Sequence, residues 1–165
     1  MKIRAVTIWE PYATLVACGL KRFETRGHST NYRGPLVIHA AKRWDREREA
    51  DCRRVRKFIR ERLDRSELTN EQNRALFSGG FRETLGRALG VVNLRSCKQM
   101  SDGGNDAENA FGYFGAGRYG WECADARVFE KPIEETGKQG LWIPSAELAA
   151  AALELYRDNG GPGSS

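Results

Sequence analysis

The chain has 165 residues, a net charge of +5 and an isoelectric point near 9.2, with 40% hydrophobic and 30% charged residues. That balance fits one globular domain with a core of its own and excludes a disordered chain; four cysteines are too few for a disulfide scaffold. The basic excess admits an anionic partner, nucleic acid first among them, without establishing one.

Residues 2–8 (KIRAVTI) read as a strand ending at Trp9. Pro11 suits the first turn of a helix; Ala13, Leu15, Val16 and Ala17 make that helix short and apolar, and Gly19 stops it. The start does not read as a secretory leader, because Glu10 and Pro11 interrupt the apolar run. Residues 21–26 (KRFETR) alternate charge with Phe23 and Thr25, a period-2 strand, and 27–34 form a turn-rich loop. Residues 35–40 (PLVIHA) are an apolar strand, expected to be central and buried on both faces.

From Asp45 to about Leu63 the period is helical, with Val55, Ile59 and Leu63 on the apolar stripe. A second helix starts at Thr69, where Thr69 and Gln72 form a capping box, and ends at Gly79-Gly80. The two helices read as an insertion, about 45–80, between strands. Residues 88–100 are a long strand, 101–120 a Gly- and aromatic-rich loop, and 121–133 a strand ended by Pro132. Residues 139–144 give a last short strand, and 145–157 a helix with Ser145 as N-cap. Residues 158–165 are expected to be a disordered tail, leaving 1–157 as a single domain. Strands without regular βαβ alternation point to an α+β fold: a small mixed β-barrel with flanking helices and a helical insertion.

Cys18, Cys52, Cys97 and Cys123 are scattered without a CxxC pair, and only His28 and His39 could join them as ligands. No structural metal site is expected, and the thiols read as reduced in a cytoplasmic protein. No apolar run approaches the ~20 residues of a membrane helix.

The segment GLKRFETR, 19–26, carries the densest chemistry. On a regular strand Glu24 and Arg26 share a face and can pair, whereas Lys21 joins them only if the start of the strand re-aims it. A carboxylate between two cations can act as a base, or the cations can grip a phosphate while Glu24 orients them. A plain surface ion-pair ladder is the bland alternative. Trp9, Pro11 and Tyr12 stand where the first strand meets the first helix, suited either to stacking a nucleobase or to packing the core. Tyr32 and Arg33 in the following loop fit either a backbone clamp or a turn contact. His39 is the best-placed general acid–base by intrinsic pKa, although a lone His in an apolar strand is more often a core residue. Lys42 ends that strand. The 45–65 helix interleaves charges at i,i+4 spacing, as a solvated helix does, but its middle, RRVRK, is all positive and fits phosphates.

These residues also carry a resemblance. Gly19-x-Lys21-x-x-Glu24-x-Arg26 is similar to the GxKxxExR signature of the ASCH domain family (activating signal cointegrator homology). IWEPYA (8–13), NYRGPLVIHAAK (31–42), GRYGWE (117–122) and KQGLW (138–142) follow the family's order. The resemblance implies a PUA-like β-barrel and an RNA- or nucleoside-related role, with Arg118 and Trp121 added to the site. Two activities are associated with the family: an amidohydrolase acting on acetylated cytidine and a ribonuclease thought to use a divalent metal. The amidohydrolase pattern has Lys followed three positions later by Thr. Here Lys21 matches, but Glu24 stands in the threonine position, which argues against that chemistry.

The expected function is therefore binding of RNA, single-stranded nucleic acid or a nucleotide in a basic cleft formed by Trp9, Pro11, Tyr12, Lys21, Arg26, Tyr32, Arg33, Lys42, Arg118 and Trp121. The alternatives are an enzyme using Lys21, Glu24 and His39, with a divalent metal if it is a nuclease, and a protein-docking module built on the helical insertion.

Overall fold

A computed structural model describes residues 1–101, 111–113 and 115–158. The expected tail from 159 onward and most of the 101–110 loop lie outside the described residues. The strands are β1 (Arg4–Ile8), β2 (Phe23–Arg26), β3 (Gly34–Ala40), β4 (Arg87–Gln99), β5 (Tyr119–Glu134) and β6 (Leu141–Trp142). The helices are α1 (Tyr12–Ala17), α2 (Arg46–Arg62), α3 (Asn70–Phe77) and α4 (Ala146–Arg157). One curled, mixed sheet runs in the order β2-β5-β4-β3-β1-β6, a half-barrel of the PUA-like α+β type. Among the described residues only β1 and β3 pair in parallel.

The period-2 pattern of β3 sorts the core. Leu36, Ile38 and Ala40 face α1 with Val6, Ile8, Val92 and Leu94, whereas Val37 joins Ala5, Val91, Leu148 and Ala152 beneath α4. A third cluster seats α2 and α3 on the outer side of α1, through Leu15, Val55, Ile59, Leu76 and Phe111. Two caps are as the sequence predicts: Thr69 and Gln72 cap each other, and Ser145 Oγ accepts from Leu148 N–H at 3.2 Å; at the start of α2 the Asp45 carboxylate accepts from Arg48 N–H at 2.9 Å.

Three boundaries differ from the sequence reading. Pro132 does not end β5, which runs on to Glu134. Gly90 pairs with Val128 and Ala88 with Ile133, so Leu89 alone faces four residues of β5, and the proline, with no N–H to give, falls in that bulge. The second strand begins at Phe23, because Lys21 N–H is spent on Leu15 O at the end of α1, 3.0 Å away. The last strand is two residues long, paired to β1 through Leu141 and Trp142.

Candidate functional site

Gly19 turns the chain out of α1 with φ +82°, a conformation that suits glycine, and delivers Lys21 beneath the helix. Lys21 is 3% exposed, with Nζ 4.0 Å from the Glu24 carboxylate and 5.8 Å from the centre of the Tyr12 ring. Glu24, itself buried, lies 3.6 Å from Arg26 Nε. The start of the strand has thus re-aimed Lys21, and all three charges of the 19–26 segment converge. Arg26 also donates to Thr7 O at 3.0 Å and lies 5.8 Å over the Trp121 ring. Trp121 is buried and donates to His28 O, while Arg118 donates to Thr25 O at 2.9 Å and lies beside the exposed Tyr113.

The facing wall comes from α2. Arg48 is 3% exposed despite its charge. Its guanidinium lies 2.7 Å from Glu47 and 3.5 Å from Asp51, and 4.3 Å over the ring of Trp9. Trp9 is 46% exposed at the rim and so does not serve as core. Tyr12 accepts a hydrogen bond from Arg54, and burial, followed by the charge of Asp51, pushes its hydroxyl pKa up. Between the walls lies a cavity of about 560 Å³. Lys21, Arg26, Arg48 and Arg118 line it, against Glu24, Glu47 and Asp51.

Several sequence candidates lie elsewhere. Trp121 supports the floor from below, and Pro11 is buried at the start of α1; neither lines the cavity. Tyr32 donates to Pro35 O and Lys2 O, with burial raising its pKa to about 12, and Arg33 donates to Thr30 O and Tyr32 O, so both make turn contacts. Lys42 lines a separate hollow with Glu134 and Glu135. His39 is buried, its Nε2 2.9 Å from Glu135 O and its Nδ1 3.4 Å from Thr7 Oγ1, and burial lowers its pKa. Thr7 lines the cavity, but His39 does not.

Sequence reasoning missed Arg48, Glu47, Asp51 and His28. A signal existed for Arg48: it sits four residues before Cys52, on the same stripe as Val55 and Ile59. It also missed Glu10, which is fully buried. Its carboxylate accepts from Thr14 N–H at 3.0 Å and from the Thr14 and Thr84 hydroxyls, yet desolvation outweighs these bonds and raises its pKa. Among the described residues no three His, Cys, Asp or Glu side chains come together as a metal site would require, and no helix is long and apolar enough to cross a membrane.

No curated protein matches the chain at a significant level. The family model of the ASCH domain matches residues 6–133. That span takes in both walls of the cavity, Arg118 included, and well over half of the sequence. The chain therefore belongs to the ASCH domain family, whose domains are generally RNA-binding and PUA-like.

Proposed function

We propose that the cavity between the 19–26 segment and α2 binds a nucleotide of a single-stranded RNA. The observation that carries this reading is the convergence of four cations and the aromatic rings of Trp9, Tyr12, Phe111 and Tyr113 on one hollow of about 560 Å³. Trp9 offers an exposed ring for a base to stack on, and Tyr12 an edge deeper in. Arg26 and Arg118 are each anchored to a backbone carbonyl, which fixes their guanidinium planes for a phosphate or a base edge. The three carboxylates nearly balance the cations. The cavity thus suits a base with amino groups to donate, with a phosphate held among the arginines, better than it suits a run of phosphates.

The test is fluorescence polarisation with short labelled single-stranded RNA. Trp9→Ala is expected to weaken binding by ~1–3 kcal/mol, the worth of one stacked base. Lys21→Met, which keeps the buried stem, is expected to weaken it as well. RNA binding unchanged in both variants would overturn the proposal. Hydrolysis in the same cavity is a second reading, favoured by the buried Glu24 between two cations. It predicts loss of turnover in Glu24→Gln, with the RNA or nucleoside still bound.

A further inference from the structure

The cations of α2 do not all face the cavity. Its core stripe is Arg48, Cys52, Val55 and Ile59, and its cavity flank carries Glu47 and Asp51. The opposite flank is different. Arg46, Arg53, Lys57 and Arg60, at i, i+7, i+11 and i+14, share one side of the helix, and all four are exposed. Arg56 borders them, donating to Gly79 O at 3.3 Å and lying over Phe81. Glu49 pairs with Arg53 at 3.6 Å and Glu61 with Lys57 at 4.0 Å. Arg46 and Arg60 have no carboxylate partner among the described residues. Five cations therefore stand against Glu49 and Glu61. The stripe from Arg46 to Arg60 spans 14 residues, about 21 Å at ~1.5 Å per residue.

The stripe also continues from the cavity. Arg43 lies 5.4 Å over the Trp9 ring at the rim, and Arg46 follows three residues on, as the first residue of α2. We propose that this basic flank of α2 holds the phosphodiester backbone of the same RNA strand, leading it away from the cavity past Trp9 and Arg43. The proposal rests on the binding proposed for the cavity and adds a second, sequence-independent contact to it. At ~3.4 Å of rise per nucleotide, about 21 Å accommodates roughly six nucleotides. A membrane surface fits the flank less well: the exposed large apolar side chains, Met1, Trp9, Tyr113 and Ile143, belong to other elements, so none lies on the stripe to insert beside the charges.

The test compares a trinucleotide with a single-stranded RNA about 20 nucleotides long, across a salt series. Arg46, Arg53, Lys57 and Arg60 are changed together to Ala, a strong helix former that leaves α2 intact. The longer RNA is expected to bind roughly tenfold or more weakly, and its log K against log salt slope to flatten by about 3, at ~0.7 per lost phosphate contact. The trinucleotide keeps its affinity. Changing Arg46, Arg53 and Arg60 to Lys instead preserves most binding, because phosphates read charge. Should the fourfold variant fail to fold, Arg46→Ala with Arg60→Ala, neither in an ion pair, gives about half the slope change. An unchanged slope with the longer RNA overturns the flank and leaves the cavity reading standing. Loss of the longer RNA on the flank variant, but not on Lys21→Met, supports the flank and removes the cavity. Capture by phosphatidylserine vesicles or polyglutamate, with no RNA bound, overturns both.

Discussion

Glu24→Gln separates two roles that the cavity assigns to one side chain. The carboxylate lies 4.0 Å from Lys21 Nζ and 3.6 Å from Arg26 Nε, with Lys21 almost fully buried. At 4 Å and an effective dielectric constant near 20, each such attraction is worth ~4 kcal/mol before desolvation is counted. Removing one member of a fully buried pair costs about 3–5 kcal/mol; Arg26 is a quarter exposed, so a discounted cost of ~2–3 kcal/mol applies. The glutamine keeps the volume and shape, so packing is not the variable. Urea denaturation followed by tryptophan fluorescence reads the change as a lower midpoint at constant slope. RNA affinity moves independently. If Glu24 only restrains the cations, the variant binds RNA more tightly as it becomes less stable. If Glu24 reads a base amino group, affinity falls with stability. A loss below ~0.5 kcal/mol would refute the buried triad, because that is what an exposed pair contributes.

Other expectations follow from the surrounding structure. At Gly90 a Cβ would collide with Arg127 O, a backbone atom fixed by the β4–β5 ladder, so Gly90→Ala is expected to lower stability by ~1–3 kcal/mol or more in the same denaturation assay. Glu10 has a raised folded-state pKa, so the stability it contributes is complete below the unfolded value of 4.5 and is lost as pH rises through the folded value. Against Glu10→Gln, the wild type should therefore lose ground from pH 4.5 upward, and a pH-independent difference would contradict this. His39 has a lowered folded-state pKa, so its contribution is intact above 6.5 and fades as pH falls from 6.5 to the folded value, by at most ~1.4 kcal/mol per pH unit. His39→Gln should remove that slope. Ser145→Ala removes the cap of α4 and is expected to cost about 1 kcal/mol in thermal unfolding.

Elements whose signals are local were legible in the sequence. The α3 and α4 caps, the burial of β3 and the stop at Gly19 each follow from a few neighbouring residues, and each stands in the structure. Pro132 misled because a proline ends a strand only when its missing N–H is needed, and the long bulge opposite Leu89 means that it is not. The cavity was half legible. One wall is the contiguous 19–26 segment. The other is assembled from α2, whose charges look alike in sequence and are sorted only by which flank meets Trp9. Tyr32, Arg33 and Lys42 join the site in the sequence by chain proximity and His39 by its intrinsic pKa, but the turn after β2 carries Tyr32 and Arg33 away, and β3 buries His39 under residues 135–137.

The sorting of charge on α2 bears on how the site gains specificity. A cavity lined only by cations would hold any phosphate, and its affinity would collapse with salt. Here Glu47 and Asp51 hold Arg48 against Trp9, and Glu24 stands between Lys21 and Arg26, so three of the four cations lining the cavity are already oriented by a carboxylate, and the fourth, Arg118, by Thr25 O. A phosphate entering the cavity must compete with those carboxylates, whereas a base amino group can use them. Cations with weaker restraints lie outside, on the far flank of α2, where a backbone needs charge and little geometry. The division predicts two salt responses in one protein. Binding of a trinucleotide should depend weakly on ionic strength and strongly on base identity, while each added nucleotide along the flank should steepen the salt slope without changing base preference. Salt titrations over a ladder of RNA lengths and sequences measure both. A salt slope as steep for the trinucleotide as for the longer RNA would place the phosphate contacts in the cavity and contradict the division.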